Sequence, residues 1–184
     1  LAAWKVNTWV DRASMIFAVL AFSIPVFWLE YNMVYLFAVK LGWLPALGYE
    51  SISDGLVPWL RSIALPSICV GIIAAALPAR VTRSTMLEIL KDDYVRTARA
   101  KGLRERIVLL RHALRNAMVP IMTMFGLSLA GMIGGLVISE QVFAIPGMGR
   151  LIVDAVSTRD YPLIQGSLLL IAVSYVIVNL IIDL

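Results

Sequence analysis

The 184-residue chain contains one cysteine, Cys69, and one histidine, His112. A single cysteine excludes an intrachain disulfide. One Cys and one His fall short of the three or four ligands that zinc requires, and no other metal site is expected. Cys69 lies inside an apolar run, where a packing role is expected. With His112 as the lone histidine, no nucleophile–His–acid set can assemble. The motif G-x-x-x-x-G-K-[ST] is absent, so the chain is not expected to bind ATP through a P-loop. It therefore reads as a non-enzyme. Charge is also scarce: charged residues make up 15% of the chain, against ~25% in soluble domains. No internal repeat or low-complexity tract occurs. What fills the sequence is apolar: 60% of residues are hydrophobic, and mean hydropathy is +0.86. These values exclude a disordered chain, a fibrous protein and a disulfide scaffold, and they specify an all-α, polytopic membrane protein.

Four stretches are long and apolar enough to cross a bilayer, which takes ~20 residues. They are about 14–41, 57–79, 117–138 and 163–184. Both ends stop within or beside apolar sequence, as expected of a single transmembrane unit cut from a longer chain. Charge orients the spans. Residues 80–115 hold Arg80, Arg83, Lys91, Arg96, Arg99, Lys101, Arg104, Arg106, Arg111 and Arg115 against Glu88, Asp92, Asp93 and Glu105. The segment before the first span is net positive, and the loops 40–61 and 140–160 are neutral or slightly negative. Positive segments alternate with the others, which places the N-terminal connector and the central loop in the cytoplasm. A basic cluster between two spans marks such a loop; no nucleic acid is expected as a partner. Trp28, Trp43 and Trp59 fall near the predicted interfaces, as in an aromatic belt.

The cytoplasmic segment, about 88–115, carries the most information. Asp92 and Asp93 precede an Ala- and Arg-rich run that ends at Lys101, matching a helix macrodipole, and Gly102 fits the position after a helix end. A second helical pattern follows, with Leu103, Ile107, Leu110, Leu114 and Met118 forming one apolar stripe. Arg104, Arg111 and Arg115 lie on another face. Two readings fit the pattern: a basic amphipathic helix resting on anionic lipid, or a docking helix for a cytoplasmic partner. Ala98, Ala100 and Gly102 favour docking because they leave room for close backbone approach.

The runs Asp93–Leu103 (DYVRTARAKGL), Arg111–Ala117 (RHALRNA) with Pro120, Val137–Val156 and Arg159–Gly166 together resemble the permease subunits of peptide/nickel-class ABC importers. More narrowly, they resemble the B-type oligopeptide or dipeptide permease. Ser23-Ile24-Pro25 and Lys40–Pro45 also fit, and the resemblance covers essentially the whole chain. Arg96-Thr97-Ala98 stands where importers in general carry E-A-A, and His112–Arg115 where they carry I-x-L-P. Both departures are usual for the peptide class.

The resemblance implies a type I ABC importer permease-like helical bundle in a bacterial or archaeal cytoplasmic membrane. Such a permease forms the path for peptides or similar small solutes. It docks an ATPase through a coupling helix, here Arg96, Thr97, Ala98, Arg99, Ala100, Lys101, Gly102 and Leu103. Ala98 and Gly102 would admit the partner closely, and Arg99 and Lys101 would pair with its acidic groups. Implied partners are two ATP-binding subunits, a second related permease forming a heterodimer, and an extracytoplasmic solute-binding protein. No cofactor is expected in this chain; ATP and Mg belong to the ATPase subunits.

Glu30 and Asn32 are candidates for the translocation path, because intramembrane polar residues mostly face interiors or cavities. Gly131 and Gly135 form a G-x-x-x-G, which suits close helix packing between subunits or within one. Arg150, Asp154 and Arg159 read as solvated loop charges. Two competing classes remain: an ATP-independent secondary transporter or channel, which would gather polar residues at mid-membrane around broken helices, and a structural membrane anchor that recruits a cytoplasmic protein through an essential basic loop.

Overall fold

A computed structural model describes residue 6 and residues 8–183, without side chains at 130, 133–135, 182 and 183. The described chain is helical: α1 (Trp9–Ser23), α2 (Val26–Met33, continued by a π-helical segment Val34–Lys40), α3 (Leu56–Ile89), α4 (Asp93–Ala100), α5 (Glu105–Ile107), α6 (Leu114–Val142), α7 (Met148–Thr158) and α8 (Tyr161–Asp183). A second π-helical segment, Val108–Ala113, joins α5 to α6 with helical backbone at both junctions. Residues 105–142 therefore form one unbroken rod, more than about 50 Å long at 1.5 Å per residue.

The central pair is α3 and α6; α1 and α2 lie on α3, and α7 and α8 on α6. Two alanines let α6 approach closely. Ala113 and Ala117 are fully buried and, with Leu109, pack against Met86 of α3. Small side chains at a helix contact permit this. The bulky stripe faces the other way: Leu103, Ile107, Leu110 and Met118 are exposed, and Leu114 is half-buried. Periodicity correctly found a face, but it selected the large apolar residues, which in a membrane chain need not be the inward ones.

The first apolar stretch, 14–41, departs from a straight crossing. It breaks at Pro25 into two helices set 104° apart. Proline supplies no N–H, and the residue before it avoids the helical region. Ile24 accordingly adopts φ −83°, ψ 126°. The broken pair still runs the length of α3. Near its start, Asp11 accepts two hydrogen bonds from Arg83, at 2.5 and 2.7 Å. Beyond its end, Arg61 Nη2 donates to the Trp43 carbonyl at 3.1 Å. Positions 61 and 83 of α3 lie about 33 Å apart along a helix, close to the ~30 Å of bilayer hydrocarbon. The pair thus traverses the same depth as the helix beside it.

The second stretch lies within α3, whose 34 residues carry Pro66 and Pro78 in mid-helix and extend beyond the apolar part to Ile89. The third lies within α6 and the fourth within α8; Leu184 is outside the described residues. Within Leu56–Ile89 and Tyr161–Ile181, 18-residue windows have span-like mean hydropathies of 2.0 and 2.1. The Gly48 N–H donates to the Phe143 carbonyl at 2.9 Å, tying the loop before α3 to the turn after α6. Both loops therefore sit at one end of the bundle. The α4 corner follows the opposite end of α3.

Candidate functional site

Helix α4 begins at Asp92, with Asp93 in its first turn, where the dipole favours acids. It ends at a glycine corner. The Gly102 N–H donates to the Arg99 carbonyl at 2.9 Å, and the Leu103 N–H to the Ala98 carbonyl at 3.4 Å. These are the paired bonds of a Schellman termination. Gly102 takes φ +75°, in the left-handed region that disfavours a side chain. A Cβ there would meet no atom within 4 Å, so the requirement for glycine is conformational and not one of space.

The inner face of α4 is apolar. Val95 and Ala98 are buried against Val108, with Ile89 and Leu90 alongside. This corrects the expectation that Ala98 opens toward a partner: its small side chain seats α4 on the body of its own chain. Arg99 is corrected as well. Its Nη2 donates to Glu105 Oε1 at 2.7 Å and its Nε to Oε2 at 3.2 Å, so its charge is engaged within the chain. Those bonds hold the Glu105 carboxyl below its ordinary range and make the Arg99 guanidinium more basic. The exposed residues are Asp92, Asp93, Tyr94, Arg96, Thr97, Ala100, Lys101, Gly102 and Leu103, and Arg99 is exposed beside its Glu105 partner. The Arg96–Asp93 contact, at 3.6 Å between two strongly exposed side chains, contributes little. The corner thus presents a short, mixed-charge surface on an apolar seat, with Asp92 and Asp93 exposed at its start and Arg96 and Lys101 exposed beyond them.

Glu30 and Asn32 are not brought together. Two positions apart on a helix, their side chains diverge. Glu30 is fully buried, and Ser139 of α6 donates a hydrogen bond to its Oε1. Among the described residues Oε2 has no hydrogen-bond partner. Asn32 is exposed and donates to the Trp28 carbonyl of its own helix at 2.7 Å. Beside Ser139, a cleft of about 360 Å³ opens between α3 and α6, walled by Pro66, Ser67, Gly71, Met132 and Leu136. Gly131 is exposed, and a Cβ there would meet no described atom within 4 Å, so it makes no close approach among the described residues. The surroundings of Gly135 lie outside the described residues.

Glu140 is a structural residue that sequence reasoning missed. Its Oε2 accepts the Arg150 backbone N–H at 2.8 Å, capping α7 across the turn. A Cβ on Gly147 would overlap the Glu140 carboxylate, and one on Gly149 would come within 2.7 Å of the Val137 backbone. The G-x-G of this turn therefore serves close approach. The only available signal was an acid eight residues before the start of α7 and ten before its donor, a spacing no local capping rule covers.

The whole chain, residues 1–184, matches the family described as binding-protein-dependent transport system inner membrane component. It is 49% identical to a probable peptide ABC transporter permease protein of Sinorhizobium fredii, covering all of this chain and 59% of that protein. It is 39% identical to a dipeptide transport system permease protein of Alkalihalophilus pseudofirmus, covering all of this chain and 61% of that one. Identity is 45% to a glutathione transport system permease protein of Pectobacterium atrosepticum, covering all of this chain and 57% of that relative. The chain thus spans about three fifths of the length of these curated relatives.

Proposed function

Because this chain belongs to the binding-protein-dependent transport system inner membrane component family, we propose that it is the core of a permease subunit of an ATP-driven importer. The solutes are peptides or similar small molecules, consistent with the peptide, dipeptide and glutathione systems named for its relatives. The membrane is the bacterial or archaeal cytoplasmic membrane. Partners are two ATP-binding subunits, which hold ATP and Mg, a second permease chain, and an extracytoplasmic solute-binding protein. The chain itself catalyses nothing.

The observation that carries this reading is the α4 corner. An eight-residue helix is too short to stand alone, and here an apolar seat and a Schellman turn fix it. Its remaining face is exposed, and Arg96 and Lys101 on it are available to acidic groups in a cleft on an ATP-binding subunit. A surface that only bound lipid would need no defined corner.

Exchanging Gly102 for tryptophan tests the reading. Space is open around Gly102, so the protein should fold and insert, but the left-handed turn becomes strained and α4 shifts. In the full-length complex in lipid nanodiscs, ATP hydrolysis should fall by about an order of magnitude, within the range of site-to-site coupling. Wild-type hydrolysis in Gly102→Trp would refute the role of the corner.

A further inference from the structure

The Arg99–Glu105 pair spans the corner on which the importer reading rests. Arg99 lies in the last turn of α4, Glu105 is the first residue of α5, and the glycine turn lies between them. The contact is two-pronged, which fixes direction as well as distance. It stands on one side of the turn, while the Val95–Ala98–Val108 cluster fastens the helix from within. Beyond Glu105 the backbone remains helical to Val142. That rod carries Ser139, which holds Glu30 of α2, and Glu140, which caps α7.

We infer that Glu105 is a positioning residue for energy coupling. Paired with Arg99, it sets the angle between α4 and the long rod, so that a push on α4 moves the rod instead of folding the corner. Glu105 itself touches no nucleotide or solute. Both side chains are partly exposed, so the pair adds little to global stability; its effect is on geometry. The depressed Glu105 carboxyl stays ionised at neutral pH, and the pair is lost only when pH falls through that lowered value.

The test uses the full-length chain with its co-purifying subunits in lipid nanodiscs. Hydrolysis is measured per bound ATP-binding subunit. In a background without other reactive cysteines, spin labels at Ala100→Cys and Arg111→Cys report the α4–rod distance by pulsed electron resonance. Glu105→Arg places like charges together; the distance distribution should broaden and hydrolysis fall by about fivefold or more. The swap Arg99→Glu/Glu105→Arg should sharpen the distribution again and return hydrolysis to within about twofold of wild type. An unchanged distribution in Glu105→Arg overturns the brace. A broadened distribution with unchanged hydrolysis overturns its role in coupling, and so does a swap that rescues neither readout. If the unmutated chain retains no ATP-binding subunit, the importer reading fails first, while the distance measurement still reports on the brace.

Discussion

Glu30 shows how much one side chain can hold. Its carboxyl is buried at the meeting of α2 and α6, and the Ser139 hydroxyl is committed to it. Replacing it by alanine opens a cavity and leaves that hydroxyl without its partner, a combined cost of roughly 2–4 kcal/mol. Glutamine keeps both the volume and an acceptor, so its cost should stay below about 1.5 kcal/mol. Thermal unfolding in mild detergent should therefore rank wild type and Glu30→Gln close together and Glu30→Ala well below. Equal midpoints for the two variants would mean that the Ser139 contact contributes nothing. Hydropathy marked Glu30 as unusual, but its partner was not legible, because Ser139 lies 109 positions away in the chain. Asn32 drew the same attention for the same reason and proved to be satisfied by its own helix.

At the scale of elements, proline illustrates the limit of sequence. Pro25, Pro66, Pro78 and Pro120 all stand in apolar stretches, yet only Pro25 ends a helix. Local rules mark each as a possible break, and neighbouring helices decide which bonds can be given up. The cytoplasmic corner was far more legible. Acids at the start and glycine after the end are local signals, and the structure realises both. Its facing was less legible: the inward Ala98 and the engaged Arg99 depend on contacts beyond one helix. The end of α7 repeats the corner's bonding with a different residue. The Arg159 N–H donates to the Val156 carbonyl at 3.2 Å and the Asp160 N–H to the Ala155 carbonyl at 2.9 Å. Here Arg159, at φ +58°, occupies the left-handed position. A non-glycine residue there costs roughly 1–2 kcal/mol. Arg159→Gly should stabilise the full-length protein by about 1 kcal/mol once the added freedom of the unfolded chain is counted, seen as a higher unfolding midpoint. A lowered midpoint would show that the arginine side chain has a compensating role.

The whole molecule is two connected halves of one lever. At one end, α4 presents a short exposed face on an apolar seat. At the other, the same rod holds the buried Glu30 and the start of α7. Almost none of α8 is buried within this chain, and its flanks are apolar, as suits a helix facing lipid or another membrane subunit. The central claim is that the outward face of α4, and not its inward one, meets an ATP-binding subunit. Site-directed cross-linking tests it most directly. Single cysteines are placed at Thr97 and Lys101, which are exposed, and at Val95, which is fully buried; each full-length variant is purified with its partners and treated with a short bifunctional reagent. The account predicts an adduct with the ATP-binding subunit from Thr97→Cys and Lys101→Cys and none from Val95→Cys. Adducts with lipid-facing reagents alone, or equal cross-linking from all three positions, would contradict it.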